Sequence, residues 1–252
     1  MDNYFDLSGK YALVVGASSG LGRQFAKALA RQGATVAIAA RRADKLGETK
    51  RQVEELGGKC IAVSCDVSNE ESVIKCVEEV MNAFGRIDIL CNNAGIATFG
   101  EFTDIPTNDW DRTFDVNIRG MFLMTREVGK VMKQQNYGRI INTASISAHG
   151  GDPVTVAYCA SKAAVVNFTR AVATSLGQYN VTVNSIAPGV FASEITENDL
   201  DGPMTKAYIN SVPLHRIGNE GELDGALIYF ASDASAYCTG QTLYVDGGKT
   251  AL

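Results

Sequence analysis

The chain has only two histidines, His149 and His215, and neither stands near further candidate ligands or a suitable acidic partner. A metal centre or a Ser-His-Asp triad therefore has little to be built from. The six cysteines (Cys60, Cys65, Cys76, Cys91, Cys159, Cys238) include no Cys-x-x-Cys, so reduced and mostly buried thiols are expected. Basic residues are outnumbered, 23 Lys and Arg against 28 Asp and Glu, and a net charge of -5 argues against nucleic acid or anionic lipid as a partner. No apolar run approaches the roughly 20 residues that span a bilayer. The opening residues, Met1 to Asp6, are acidic where a signal peptide would be basic, which leaves a cytoplasmic protein with a small-molecule partner as the expectation.

Proline is also scarce, at five residues, and no linker or low-complexity tract interrupts the chain. With 46% apolar residues there is ample material for a core, and one domain over 1–252 is expected.

From Lys10 onward a short apolar run, a glycine or polar turn and an amphipathic stretch repeat, the pattern of parallel strands joined by crossover helices. Strand candidates are 11–15, 35–39, 60–64, 87–91, 139–143, 182–186 and 242–245, mostly apolar throughout, as strands covered on both faces should be. Helical stripes recur at Leu46, Thr49, Val53 and Leu56, at Val73, Val77, Val80 and Phe84, and at Trp110, Phe114, Ile118 and Met121. The expected fold is a Rossmann-like, doubly wound α/β sheet of about seven mostly parallel strands with helices on both faces.

The first strand runs into Gly16-Ala17-Ser18-Ser19-Gly20-Leu21-Gly22, and the helix beyond it carries Phe25 and Leu29 on its apolar face. Glycines at such a junction let backbone approach a pyrophosphate, to which the helix N-terminus offers free N–H groups. Further on, Tyr158-Cys159-Ala160-Ser161-Lys162 places a phenol and an ammonium one helical turn apart. A tyrosine with a pKa near ~10 is poorly matched to proton transfer at neutral pH, and a neighbouring positive charge favours its phenolate. Ser145, thirteen residues earlier, ends a candidate strand.

Gly-x-x-x-Gly-x-Gly, Asn92-Asn93-Ala94-Gly95, Asn117, Ser145, Tyr158-x-x-x-Lys162, Pro188-Gly189 and Asp246-Gly247-Gly248 together resemble the short-chain dehydrogenase/reductase family, in the family's order and over nearly the whole chain. Two departures are Val15, where the family often has Thr, and Ser193, where it also often has Thr. The resemblance implies a nicotinamide-dependent oxidoreductase in which Tyr158 moves the proton, Ser145 holds the substrate oxygen and Lys162 both lowers the tyrosine pKa and binds the nicotinamide ribose. It further implies that Asn117 bends its helix and anchors a water leading to Lys162, that Asn93 and Gly95 line the nicotinamide ribose, and that backbone groups at Val190 and its neighbours bind the carboxamide. Asp66-Val67 would contact adenine; Asp66 is equally readable as an N-cap for a helix beginning near Asn69.

In this fold the end of the second strand reaches the adenosine ribose, where an acid favours NAD. Ala40 stands at that position and Arg41 and Arg42 follow, so NADP is expected ahead of NAD, with Ser18 adding a hydroxyl. The arginines could also simply open a solvated helix. His149, four residues after Ser145, is readable as a substrate contact or as an exposed loop residue.

The expected reaction is hydride transfer between nicotinamide and a secondary alcohol or ketone of oxoacyl, sugar-acid or hydroxysteroid type. A non-catalytic nucleotide-binding sensor or scaffold is the alternative. Loops near 96–102, 146–156 and 191–216 would set the substrate, the last as a lid with Phe191, Ile195, Leu200, Met204, Tyr208, Ile209 and Leu214 as an apolar wall. Family resemblance and apolar helices near 110–132 and 157–176 point to a homotetramer.

Overall fold

The computed structural model describes residues 3–191 and 202–251. Seven strands, β1 (Tyr11–Val15), β2 (Thr35–Ala40), β3 (Cys60–Ser64), β4 (Ile89–Asn92), β5 (Gly138–Thr143), β6 (Val181–Pro188) and β7 (Thr242–Val245), form one sheet in the order β3-β2-β1-β4-β5-β6-β7. Every neighbouring pair is parallel. The chain winds outward from β1 in one direction and then from β4 in the other, so a crevice opens at the carboxyl ends of β1 and β4, where ligands bind in folds of this kind.

Alternate residues of each strand face opposite layers. Val14, Ile38 and Ile89 pack with Phe25, Leu29, Leu46 and Phe230 from α1 (Gly20–Arg31), α2 (Ala43–Glu55) and, near the C-terminus, α8 (Asp224–Ala231). Leu13, Val15, Ala37 and Leu90 face Val77, Val80, Val128 and Leu176 from α3 (Glu70–Phe84), α5 (Gly120–Gln135) and α6 (Val156–Leu176). Two separate apolar layers thus clamp the sheet and fix its carboxyl edge.

Three sequence expectations need correction. Leu56 is not part of its helix's buried stripe; it is the C-cap of α2 and is exposed. Trp110 is likewise exposed, with its ring stacked on Phe114 at 4.8 Å. The reason is a π turn, Asp115–Arg119, between α4 (Thr107–Phe114) and α5, which resets the helical phase before the buried residues Met121, Leu123 and Met124. Asp66 is no N-cap: Asn69 caps α3 by accepting from the Ser72 amide at 2.9 Å, while the Asp66 carboxylate accepts from the amide and hydroxyl of Ser68.

Of the expected lid, Phe191 is buried beside Gly218, and α7 (Pro203–Asn210) presents Tyr208, whose hydroxyl accepts from the Val190 amide at 3.1 Å. Leu214 is exposed. Ser193, Glu194, Ile195, Glu197, Asp199, Leu200 and Asp201 lie outside the described residues, as does the Met204 side chain.

Candidate active site

The turn after β1 is built for close approach. Gly16 has φ +80°, and a Cβ there would sit 2.6 Å from the Ala94 amide nitrogen. A Cβ at Gly22 would collide with the Gly16 carbonyl oxygen. Ser19, the N-cap of α1, makes no side-chain cap and the first turn holds no acid, which leaves the helix N-terminus open to an anion beside Ser18, Gly20 and Leu21. These features fit a bound pyrophosphate, since the cradle is lined by backbone and admits no larger residue at Gly16 or Gly22.

At the end of β2, Ala40 is buried and carries no acid toward this turn. Arg42 donates to the hydroxyls of both Ser18 and Ser19, each at 3.0 Å. The structure thus separates two residues that the sequence treats alike: Arg42 lies against the glycine-rich loop, and both arginines are exposed. Arg23, which sequence reasoning passed over, donates to the Ser18 carbonyl at 3.0 Å and pairs with Glu48. Its position in the first turns of α1 was the available signal.

A second cluster forms where β4, β5, the π turn and α6 meet. Ser145 follows β5 in extended conformation; its hydroxyl accepts from the Ser147 amide at 3.1 Å and lies near enough to the Tyr158 phenol to favour its ionised form. Tyr158 stands in the first turn of α6, where burial pushes its pKa above the ordinary value and the Ser145 hydroxyl partly offsets that. Lys162 lies one turn further on, almost wholly buried, with its Nζ 5.5 Å from the centroid of the Tyr158 ring. Burial lowers its pKa from 10.5 to about 8. The ammonium donates to the Thr143 carbonyl at 2.7 Å. A backbone carbonyl has no residue-type signal, so Thr143 was not legible in advance.

Asn117 is fully buried in the π turn, and its side chain accepts from the Ile96 amide at 2.8 Å. Its Nδ2 donates to the Ile96 carbonyl and to the Ser161 hydroxyl, both at 2.9 Å, and Ser161 in turn donates to the Tyr158 carbonyl at 2.8 Å. The start of α6 is therefore tethered to the loop after β4. A helix distortion at Asn117 was expected; the anchoring through Ile96 and Ser161 was not.

Asn93 joins the two clusters. Its Nδ2 donates to the Gly16 carbonyl at 3.3 Å and its Oδ1 accepts from the Thr143 hydroxyl at 3.2 Å. Gly95 is exposed at the same edge, where an added Cβ would lie 3.5 Å from the Lys162 Nζ. Val67 is buried against Gly120. Pro188 ends β6, Gly189 donates to the Val245 carbonyl, and both backbone groups of Val190 are engaged, the amide by Tyr208 and the carbonyl by Gly218. His149 is exposed and meets the Tyr244 ring edge-on at 5.8 Å. No cluster of His, Cys, Asp and Glu able to hold a metal occurs among the described residues. No helix among them is long and apolar enough to cross a membrane.

Comparison with known proteins points the same way. The family model described as enoyl-(acyl carrier protein) reductase matches residues 16–250. A 3-oxoacyl-[acyl-carrier-protein] reductase of Synechocystis sp. is 39% identical, the match covering 96% of this chain and 97% of the relative. The crystal structure of a short-chain type dehydrogenase/reductase from Mycobacterium marinum superposes with a TM-score of 0.95 at 39% identity and 99% coverage of each chain. That of a gluconate 5-dehydrogenase from Burkholderia cenocepacia, in complex with NADP and tartrate, gives a TM-score of 0.95 at 32% identity, covering 99% of this chain and 98% of the other.

Proposed function

Since the chain belongs to the short-chain dehydrogenase/reductase family, we propose that it is an NADP-preferring enzyme that interconverts a secondary alcohol and a ketone. The observation that carries the reading is the cluster of Ser145, Tyr158 and Lys162 at the carboxyl edge of the sheet, joined through Thr143 and Asn93 to the glycine-rich turn.

The residues that would hold the cofactor are Gly16, Ser18, Ser19, Gly20, Leu21 and Gly22 at the pyrophosphate and Arg42, with Arg41 beside it, at the 2′-phosphate. Asp66 and Val67 would serve the adenine, and Asn93, Ala94, Gly95, Tyr158 and Lys162 the nicotinamide ribose. By resemblance Pro188, Gly189 and Val190 complete the set at the carboxamide, where the Val190 amide would have to exchange its bond to the Tyr208 hydroxyl for one to the ligand. When bound, NADPH supplies the hydride that the carbonyl carbon receives. Ser145 donates a hydrogen bond to the carbonyl oxygen and orients it. Tyr158, protonated at neutral pH, gives its proton to the oxygen as negative charge develops there. The phenolate left behind faces the Lys162 charge, which stabilises it. In the oxidative direction the same phenolate removes the alcohol proton. Asn117 sets the position of α6 through Ser161 and supports the proton path to solvent.

A non-catalytic sensor or scaffold is not supported, because the characterised relatives named above are reductases and dehydrogenases. The enzyme is further proposed to be cytoplasmic and homotetrameric. Support for assembly comes from Trp110 and Phe122, exposed on α4 and α5; on α6 the outward residues are small or polar, among them Ala163, Asn167 and Arg170. Sedimentation analysis tests this, and a monomer at micromolar concentration would reject it.

The activity is tested by following reduced-nicotinamide absorbance with NADPH or NADH over a panel of ketones, sugar acids, oxoacyl thioesters and steroids. NADPH-dependent ketone reduction is expected, and no turnover across the panel would overturn the proposal.

A further inference from the structure

The loops that frame Ser145 and Tyr158 are unlike a site for an anionic, hydroxylated substrate. One leaves the carboxyl end of β4 and spans 96–106; the other leaves β5 and spans 146–155. They are fastened to each other by the Gly100 amide, which donates to the Val154 carbonyl at 2.9 Å, only four residues before Tyr158. The first is anchored at its root by the paired hydrogen bonds of Ile96 with Asn117. On this clasp Phe99 and Phe102 stand 71% and 70% exposed, and Val154 is exposed beside them. Two phenyl rings on anchored loops next to a reaction centre are poorly explained as ordinary solvent-facing surface.

Charge on the same two loops points in one direction. They contain Glu101, Asp104 and Asp152, no Lys or Arg, and one histidine, His149, whose ring is turned edge-on to Tyr244. A carboxylate or phosphate on the substrate would meet acids here and no guanidinium or ammonium to pair with. Lys162 is committed to the Thr143 carbonyl. Arg216, which lines a cavity of about 240 Å3 with Val190 and Leu214, is held by Glu222 through bonds of 2.7 and 2.8 Å.

Building on the oxidoreductase reading, we infer that the substrate is a ketone or secondary alcohol whose reacting carbon carries an uncharged alicyclic or aryl body, seated against Phe99, Phe102 and Val154. Sugar acids and thioesters on anionic carriers are disfavoured. Among the chemistries represented by the relatives, this sets the chain apart from both the gluconate and the oxoacyl carrier types.

The test compares initial rates of NADPH oxidation with 2-tetralone, 5-oxogluconate and acetoacetyl-coenzyme A as probes. The expected kcat/KM for 2-tetralone exceeds that for either anion by about 100-fold, near the upper range of discrimination by an apolar pocket. Because Phe99 and Phe102 are exposed, Phe99→Ala and Phe102→Ala should fold normally. Each should raise KM for 2-tetralone by roughly tenfold and leave kcat and the affinity for NADPH, read by nicotinamide fluorescence, little changed. Preference for either anionic ketone, or an unchanged KM in both variants, would overturn this inference and leave the oxidoreductase reading standing. Turnover of none of the three would overturn this inference, and the oxidoreductase reading would fall with it only if the wider panel were also inert.

Discussion

The ammonium of Lys162 donates to the backbone carbonyl of Thr143 at 2.7 Å while only 3% of the lysine is exposed. Burial therefore acts on a charge that has one protein partner, and the depressed pKa of about 8 against an ordinary 10.5 follows from it. Below the folded value both folded and unfolded chains carry the proton, and the folded state bears the burial penalty. Between the two values only the unfolded chain is protonated, so stability rises with pH across that window. Replacing Lys162→Met should stabilise the fold at pH 7 by up to about 2 kcal/mol, with the gain fading toward pH 10. Urea unfolding at both pH values measures it; a gain that grows with pH would contradict the sign.

Tyr158→Phe removes the proton donor and leaves the ring in place. Turnover should fall by about 10²–10⁴-fold, with NADPH affinity nearly intact. Single-turnover kinetics and a fluorescence titration separate the two effects, and near-normal turnover would remove Tyr158 from the mechanism.

Arg42, rather than Arg41, lies against the hydroxyls of Ser18 and Ser19. Arg42→Ala should weaken NADPH by roughly 1.5–3 kcal/mol and NADH much less, because the loss falls on a charge-assisted pair. Arg41→Ala should have the smaller effect. Ala40→Asp should shift preference toward NADH by adding repulsion and a ribose acceptor. Calorimetric titration of each variant with both cofactors provides the comparison.

Asn117→Leu leaves the amide and carbonyl of Ile96 without their side-chain partner in the interior, and the Ser161 hydroxyl loses its donor. A loss of about 2–4 kcal/mol in stability is expected, together with a fall in kcat that exceeds any change in NADPH affinity. Thermal unfolding and steady-state kinetics test the two halves separately.

The central strands were readable because both their faces are covered, as at β1, whose apolar run coincides with the strand; at the sheet edges β3 and β7 the bounds also coincide, although those strands are only partly buried. At β4 the expected start came two residues early: the Ile87 amide is taken by the Gln135 side chain, a partner 48 positions away that no local pattern reveals. Tyr158, Lys162 and Ser145 were legible from residue type and spacing. Their supports were less so. Thr143 acts on Lys162 through a carbonyl that every residue possesses, and the choice between Arg41 and Arg42 depends on the backbone direction at the head of α2.

The π turn at Asp115–Arg119 also works as a gear between two helices. It takes up one residue more than an α turn does; wound as plain α-helix, the same residues would rotate everything after them by about 100° about the helix axis. Met124, Val128 and Met132 would swing out of the layer that covers the sheet, and Phe122 would leave the surface. A single codon lost at the turn would thus remove the residue that it absorbs and let α5 keep its buried face, whereas one lost inside α5 would impose that rotation on all that follows.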